Sequence, residues 1–266
     1  MNHSYTTKLM RKLNLLLGLL LITVLSYAQA DNEIQVYASP TIQKGWTIFE
    51  LHNNYTFSGS KYLTDKRSAH WYNTSLEITH GFGKNFELGF YVFTGFDPRR
   101  GYTYLGNHIR PRVTVPESWK WNVGASLSLE FGFIRSSDTA DIVWEGELRP
   151  VLDKTFGKWY FSFNPNLAFV LTGENKGIEL TPQFKTVCTV SEKVGIGIEY
   201  YSSIGEFRKI LPIKEEEHLL GPMIDLYLHP MWEVNGGFLF GLTKGSNQSI
   251  FKLLIGRRVK PKEKAK

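Results

Sequence analysis

The segment WNVGASLSLEFGF, Trp121 to Phe133, carries Trp, Val, Ala, Leu, Leu, Phe and Phe at its odd positions and only Asn, Gly, Ser, Ser, Glu and Gly at its even ones. Successive side chains of a strand point to opposite faces, so this sequence makes a strand with one apolar face and one small or polar face. Repetition turns that observation into a constraint on the fold. About a dozen such segments, each roughly ten to fourteen residues long, follow one another along the chain. They run 46–57, 70–80, 86–96, 102–115, 121–133, 141–154, 159–171, 178–190, 194–205, 218–229, 232–243 and 249–259. Helical periodicity is absent from the chain beyond its leader.

Connections between the segments alternate in length. GFGKN, PESWK, TFGK, SEK and PM follow the even-numbered segments, whereas SGSKYLTDKRSA and EFRKILPIKEEE follow odd-numbered ones. Short turns at one end and longer polar loops at the other are the asymmetry of an outer-membrane barrel, with its turns in the periplasm. Trp46, Phe86, Trp121, Trp159 and Trp232 open odd-numbered segments and predict an aromatic girdle at the short-turn end. Tyr72, Phe96, Tyr102, Phe133 and Trp144 predict the opposite girdle. The expected fold is therefore all-β: a closed antiparallel transmembrane β-barrel of about 12 strands, with lipid on its apolar face and a lumen on its polar face. Closure is required because unpaired backbone groups in hydrocarbon cost several kcal/mol each. An even strand count puts both termini in the periplasm.

The leader fits that destination. Lys8, Arg11 and Lys12 precede an apolar run from Leu13 to Leu25, and Ala28-Gln29-Ala30 reads as a cleavage site. That run is too short to span a bilayer. The expected organisation is a signal peptide over 1–30, a periplasmic lead-in over 31–45, the barrel over 46–259 and a basic tail over 260–266. The lead-in, EIQVYASPTIQKG, is equally readable as a short plug. The formal charge of +6 comes from the two basic ends, and the body between them is slightly acidic, so nucleic acid is not an expected partner. The expected partners are outer-membrane lipids, the barrel-assembly machinery and a small solute. Cys188 is the only cysteine, which excludes an internal disulfide. The last segment ends on Val259, where outer-membrane barrels usually finish on an aromatic residue.

Strand parity turns many ionisable groups inward. The sharpest clusters are HIRPR, with His108, Arg110 and Arg112 on one face, and WEGELRP, with Glu145, Glu147 and Arg149 on one face. Glu130, Lys185, Glu199 and Asp225 join them, as do Glu50, Glu77, Glu87 and Lys252. Placing Arg or Lys against lipid at the midplane costs about 2 to 4 kcal/mol, which fixes their direction. Two roles are open to them: salt-bridged packing of a narrow barrel, or a constriction that selects solutes by charge. Inward glycines, including Gly89 and Gly124, mark either open space or room for long neighbours.

Pro111, Pro150, Pro165, Pro182 and Pro222 fall inside segments on the lipid-facing register, although proline removes a ladder donor. They predict either bulges or, at Pro150, Pro165 and Pro182 on consecutive strands, a weakened wall for sideways exit of an apolar solute. Catalytic patterns are lacking. His52, His80, His108, His218 and His229 are scattered, no Ser sits in a nucleophile turn, and no His and acid pair has metal-ligand spacing. The expectation is no enzyme, no cofactor and no metal.

EIQVYASP, ELHNNYTFSGS, SLEITHGFGKNFELGFYVF, WEGELRPVL, FSFNPNL and GIEYYSSIGEF resemble outer-membrane transporters related to the MetA-type proteins of phenol-degradation pathways. The resemblance spans nearly the whole chain after the leader. It implies a Gram-negative outer-membrane barrel that passes small, often aromatic or apolar, molecules, and it carries no catalytic set. The expected function is passive passage of such solutes. The alternatives are a closed-lumen scaffold or receptor acting through the loops 58–69 and 206–217, and a lipid-modifying barrel enzyme.

Overall fold

The structure, a computed structural model, describes residues 33–62, 69–98, 101–135, 141–173 and 176–261. The expected signal peptide, the end of the basic tail and part of the loop 58–69 lie outside them. In chain order the long strands are β1 (Thr47–Ser58), β2 (Trp71–Gly81), β3 (Phe86–Asp97), β4 (Gly101–Thr114), β5 (Gly124–Arg135), β6 (Ile142–Phe156), β7 (Trp159–Val170), β8 (Gly177–Ser191) and β9 (Val194–Ser203). A two-residue pair, β10 (Gly205–Glu206) and β11 (Lys209–Ile210), interrupts the series before β12 (Glu217–Leu226), β13 (Trp232–Gly241) and β14 (Ser249–Val259). The long strands are antiparallel to their neighbours. β1 pairs with both β2 and β14, and β9 with both β8 and β12, so they form a closed barrel.

Side-chain parity behaves as a membrane barrel requires. On β1, Glu50, His52 and Asn54 are buried while Phe49 and Leu51 are exposed. Phe90, Ile109, Leu129, Phe163, Ile198 and Phe238 extend this exposed apolar belt around the wall, where it faces lipid. Short turns cluster at one end: 82–85, 157–158 and 192–193 each connect an adjacent pair. The β4–β5 turn is longer than the sequence predicts. Its alternation starts at Trp121, but the last β4–β5 pair is Thr114 with Ser126, and a 3-10 turn (Glu117–Trp119) fills the gap. Trp119 and Trp121, ring centroids 6.0 Å apart, thus belong to the girdle from a turn. At the same end the Lys260 ammonium lies 5.1 Å from the Trp46 ring and the Arg257 guanidinium 4.7 Å from the Trp232 ring.

The strand prolines do not make bulges. Register shifts occur at Thr56/Ser58, Phe93/Thr94 and Thr189/Ser191, none of which is a proline. Instead the pairing is interrupted without changing register. On β6 and β7 it breaks between Leu148↔Leu167 and Leu152↔Phe163, around Pro150 and Pro165, and Pro165 is in turn paired with Pro182 on β8. Three prolines therefore stand side by side across three strands, where the missing N–H groups remove ladder bonds.

Residues 33–40 run inside the barrel, the arrangement of the short-plug alternative for this segment. Gly45 donates its N–H to the Gly81 carbonyl at the short-turn end. A Cβ on Gly81 would collide with the carbonyls of Ile42 and Gln43, so the absent side chain lets the segment pass against the wall. From there the chain rises past Ser39 and Tyr37 to Glu33, all buried. Ile34 and Val36 pack with Tyr201, Leu219, Met223, Leu239 and Ile250, giving the lumen an apolar half under β9 and β12–β14. Burying these side chains contributes roughly 1.5–3 kcal/mol each, enough to hold a short segment that has no secondary structure of its own.

Candidate functional site

Polar anchors hold the N-terminal segment along its length. The Tyr37 N–H donates to Asn164 Oδ1 (2.8 Å), and its carbonyl accepts from Ser162 Oγ (2.6 Å). Ser39 donates from its backbone N–H and from Oγ to the two oxygens of Asp153, each at 2.7 Å. The Ile42 N–H donates to Glu87 Oε2 (2.6 Å), while Arg112 donates to the carbonyls of Ala38 (2.7 Å) and Pro40 (3.0 Å). Backbone groups that would otherwise be buried unpaired are thereby satisfied from the wall.

Tyr37 is the centre of the arrangement. The guanidinium carbons of Arg149, Arg110 and Arg112 lie 4.3, 4.7 and 5.6 Å from its ring centroid. Its hydroxyl donates to Glu33 and meets the Tyr91 hydroxyl at 2.8 Å. HIRPR and WEGELRP, distant in sequence, thus converge on one ring supplied by the lead-in. Arg110 donates to Glu77, to Glu87 (3.2 Å) and to Tyr91 (2.6 Å); Arg149 donates to Glu147. His108 Nδ1 is 2.7 Å from Glu130 and its Nε2 3.7 Å from Glu145. Among the described residues seven buried carboxylates, Glu33, Glu50, Glu77, Glu87, Glu130, Glu145 and Glu147, face the three buried guanidiniums in this half of the lumen.

A second network lies under β8, β9, β12 and β14. Lys185 Nζ bridges Asp225 (2.9 Å) and Glu199 (3.1 Å), and Lys252 Nζ contacts the other Glu199 oxygen at 2.6 Å. All ten residues expected to line the lumen do point inward. They do not line an open constriction here: Arg110 is 1% exposed, and a cavity of about 10 Å³ beside Glu33, Glu147, Arg149 and Gln183 holds at most about one water. Of the two meanings of the inward glycines, room for neighbours is observed. A Cβ on Gly124 would strike Asp153 and Ser39, and one on Gly89 would sit 2.9 Å from Thr79 Oγ1 and 3.4 Å from Arg110 Nε.

Glu33, Tyr37 and Ser39 escaped identification from the sequence because they lie in an irregular segment with no periodicity to give a direction. The crowding of Tyr, Ser and an acid immediately before a barrel strand was the available signal.

The closed ring, lipid-facing belt, aromatic girdle at the short-turn end and polar interior define a transmembrane β-barrel of the outer-membrane type. No protein-family model and no curated protein matches the sequence. Solved structures with the same architecture include the NanC porin, at 12% identity and a TM-score of 0.50, covering 78% of this chain and 97% of that one. The KdgM porin aligns at 12% identity and TM-score 0.46, over 79% of this chain and 98% of that chain. The outer membrane protein Omp33 of Acinetobacter baumannii aligns at 9% identity and TM-score 0.44, over 82% and 99%. At these identities the likeness is one of fold.

Proposed function

We propose that this protein is an outer-membrane channel for small solutes, closed by its own N-terminal segment. The observation that carries the reading is the seating of residues 33–40 in the lumen. The segment enters from the short-turn end and is held by hydrogen bonds and packing rather than by strand pairing, so it can leave without breaking the barrel. With both termini in the periplasm, release would come from that side. The apolar half of the lumen, Leu219, Met223, Leu239 and Ile250, supports apolar or aromatic solutes, in keeping with the resemblance to MetA-type transporters. A non-catalytic role accompanies this reading.

A designed disulfide tests it. Cysteines at Ser39 and Asp153, in a Cys188→Ser background, bring Sγ atoms into bonding reach because the two side chains already meet, Ser39 Oγ to Asp153 Oδ1 at 2.7 Å. Liposomes carrying the oxidised variant are expected to resist swelling in apolar and aromatic solutes, and reductant is expected to restore it. Equal swelling before and after reduction would leave the closed-lumen scaffold as the better reading.

The row of Pro150, Pro165 and Pro182 favours a second route, sideways exit into the membrane through β6–β8. Replacing all three with Val restores the missing donors and is expected to slow uptake of apolar solutes while sparing polar ones. Unchanged apolar uptake would dismiss the lateral route.

A further inference from the structure

Glu33 on the N-terminal segment, His52 on β1 and Glu77 on β2 meet in the polar half of the lumen. One ligand-type atom from each lies within 4.8 Å of the others. All three side chains are buried, His52 at 1% exposure and Glu77 at 0%. His52 Nε2 stands 3.4 Å from Glu77 Oε2, yet among the described residues neither ring nitrogen of His52 has a hydrogen-bond partner, and neither does Glu33 Oε2. Burying such groups unpaired costs on the order of 1–3 kcal/mol each, so the arrangement calls for something that satisfies all of them together.

The surroundings leave one oxygen of each carboxylate directed at the gap. Tyr37 holds Glu33 through Oε1, which frees Oε2. Arg110 and Thr79 hold Glu77 through Oε1, while Oε2 faces His52 and is steadied by the Tyr37 hydroxyl at 3.2 Å, with a lone pair left for the gap. Outer partners that orient ligating carboxylates in this way are a regular feature of metal centres. The excess of carboxylates over guanidiniums around Tyr37 makes the pocket favourable for positive charge. Two carboxylate oxygens and one imidazole suit Zn²⁺ or a similar first-row divalent ion, whereas Ca²⁺ takes six to eight oxygens. Tetrahedral bonds of roughly 2.0–2.1 Å place ligand atoms a little over 3 Å apart, within reach by side-chain rotation.

We infer that Glu33, His52 and Glu77 form a binding site for one divalent transition-metal ion, with Zn²⁺ the best-matched. Glu33 belongs to the N-terminal segment and the other two to the wall, so the ion clasps the segment to the β1–β2 hairpin. The site requires only the filled lumen and does not rest on the channel reading.

The test uses the processed chain refolded in detergent, treated with chelator and titrated with Zn²⁺, with Co²⁺ as a spectroscopic probe. Expected are one Zn²⁺ per chain and visible Co²⁺ d–d bands. Glu33→Gln and His52→Gln should each weaken binding by about tenfold or more, and Glu215→Gln, on an exposed loop, should not. Glu33 lies outside the barrel wall, so its variant folds, which a heat-dependent gel shift verifies. Absence of saturable binding, or binding unchanged in both Gln variants with native gel shifts, would overturn the site. Swelling assays on the chain lacking residues 33–40 keep the channel separate: Zn²⁺ binding by the full chain with no swelling by the shortened one retains the site and dismisses the channel.

Discussion

Deleting residues 33–40 is expected to turn a barrel that opens only when its segment departs into one that conducts steadily. Planar bilayers carrying the shortened chain should show steady single-channel currents, and liposomes should swell at rates graded by solute size. The deletion removes no strand, so the wall with its closed β1–β14 pairing stays intact. What is lost is the packing of Ile34 and Val36 and the ring around which Arg110, Arg112 and Arg149 gather. Tyr37→Ala is the milder form of the same change. Desolvated cation–π contacts contribute about 2 kcal/mol each, so losing three favours departure of the segment and intermittent opening. If the deleted chain folds, by its heat-dependent gel shift, and still passes neither ions nor solutes, the wall's own side chains close the lumen and the segment is not the gate.

Arg110→Ala should destabilise the barrel more than any substitution in the lipid-facing belt. Arg110 is 1% exposed and donates to Glu77, Glu87, Thr79 and Tyr91, so its removal strands Glu77 away from water without its cation, while Glu87 keeps Arg112. Breaking a buried ion pair from one side costs about 3–5 kcal/mol, whereas removing both partners costs far less. Equilibrium unfolding in detergent, followed by tryptophan fluorescence, is the measurement. The double variant Arg110→Ala/Glu77→Gln should recover part of the loss. Single and double variants that unfold with the wild-type midpoint would mean that water reaches the network and screens it.

Much of the wall was legible in the chain because a strand's period of two needs no knowledge of its neighbours. WNVGASLSLEFGF assigns Ser126, Ser128 and Glu130 inward and Leu127 and Leu129 outward by parity alone, and all five lie so. HIRPR and WEGELRP were turned inward by the same rule, backed by the cost of a charge in lipid. The boundaries were less legible: the alternation of Trp121 and Val123 continues into a turn, since pairing depends on the opposing strand, not on the segment itself.

Parity states which side of the wall a residue takes and nothing about what fills the space within. Whether the inward charges border water or one another depends on an object brought from elsewhere in the chain. Glu33 and His52 are brought to Glu77 by the fold, and Tyr37 reaches Asn164 across 127 positions. No local spacing encodes such meetings. The sequence by itself determined a closed, lipid-facing wall with a charged interior, because those follow from periodicity and solvation. The tertiary structure alone decided that the interior is filled by the N-terminal segment, because only closure of the ring brings the two networks and that segment into one volume.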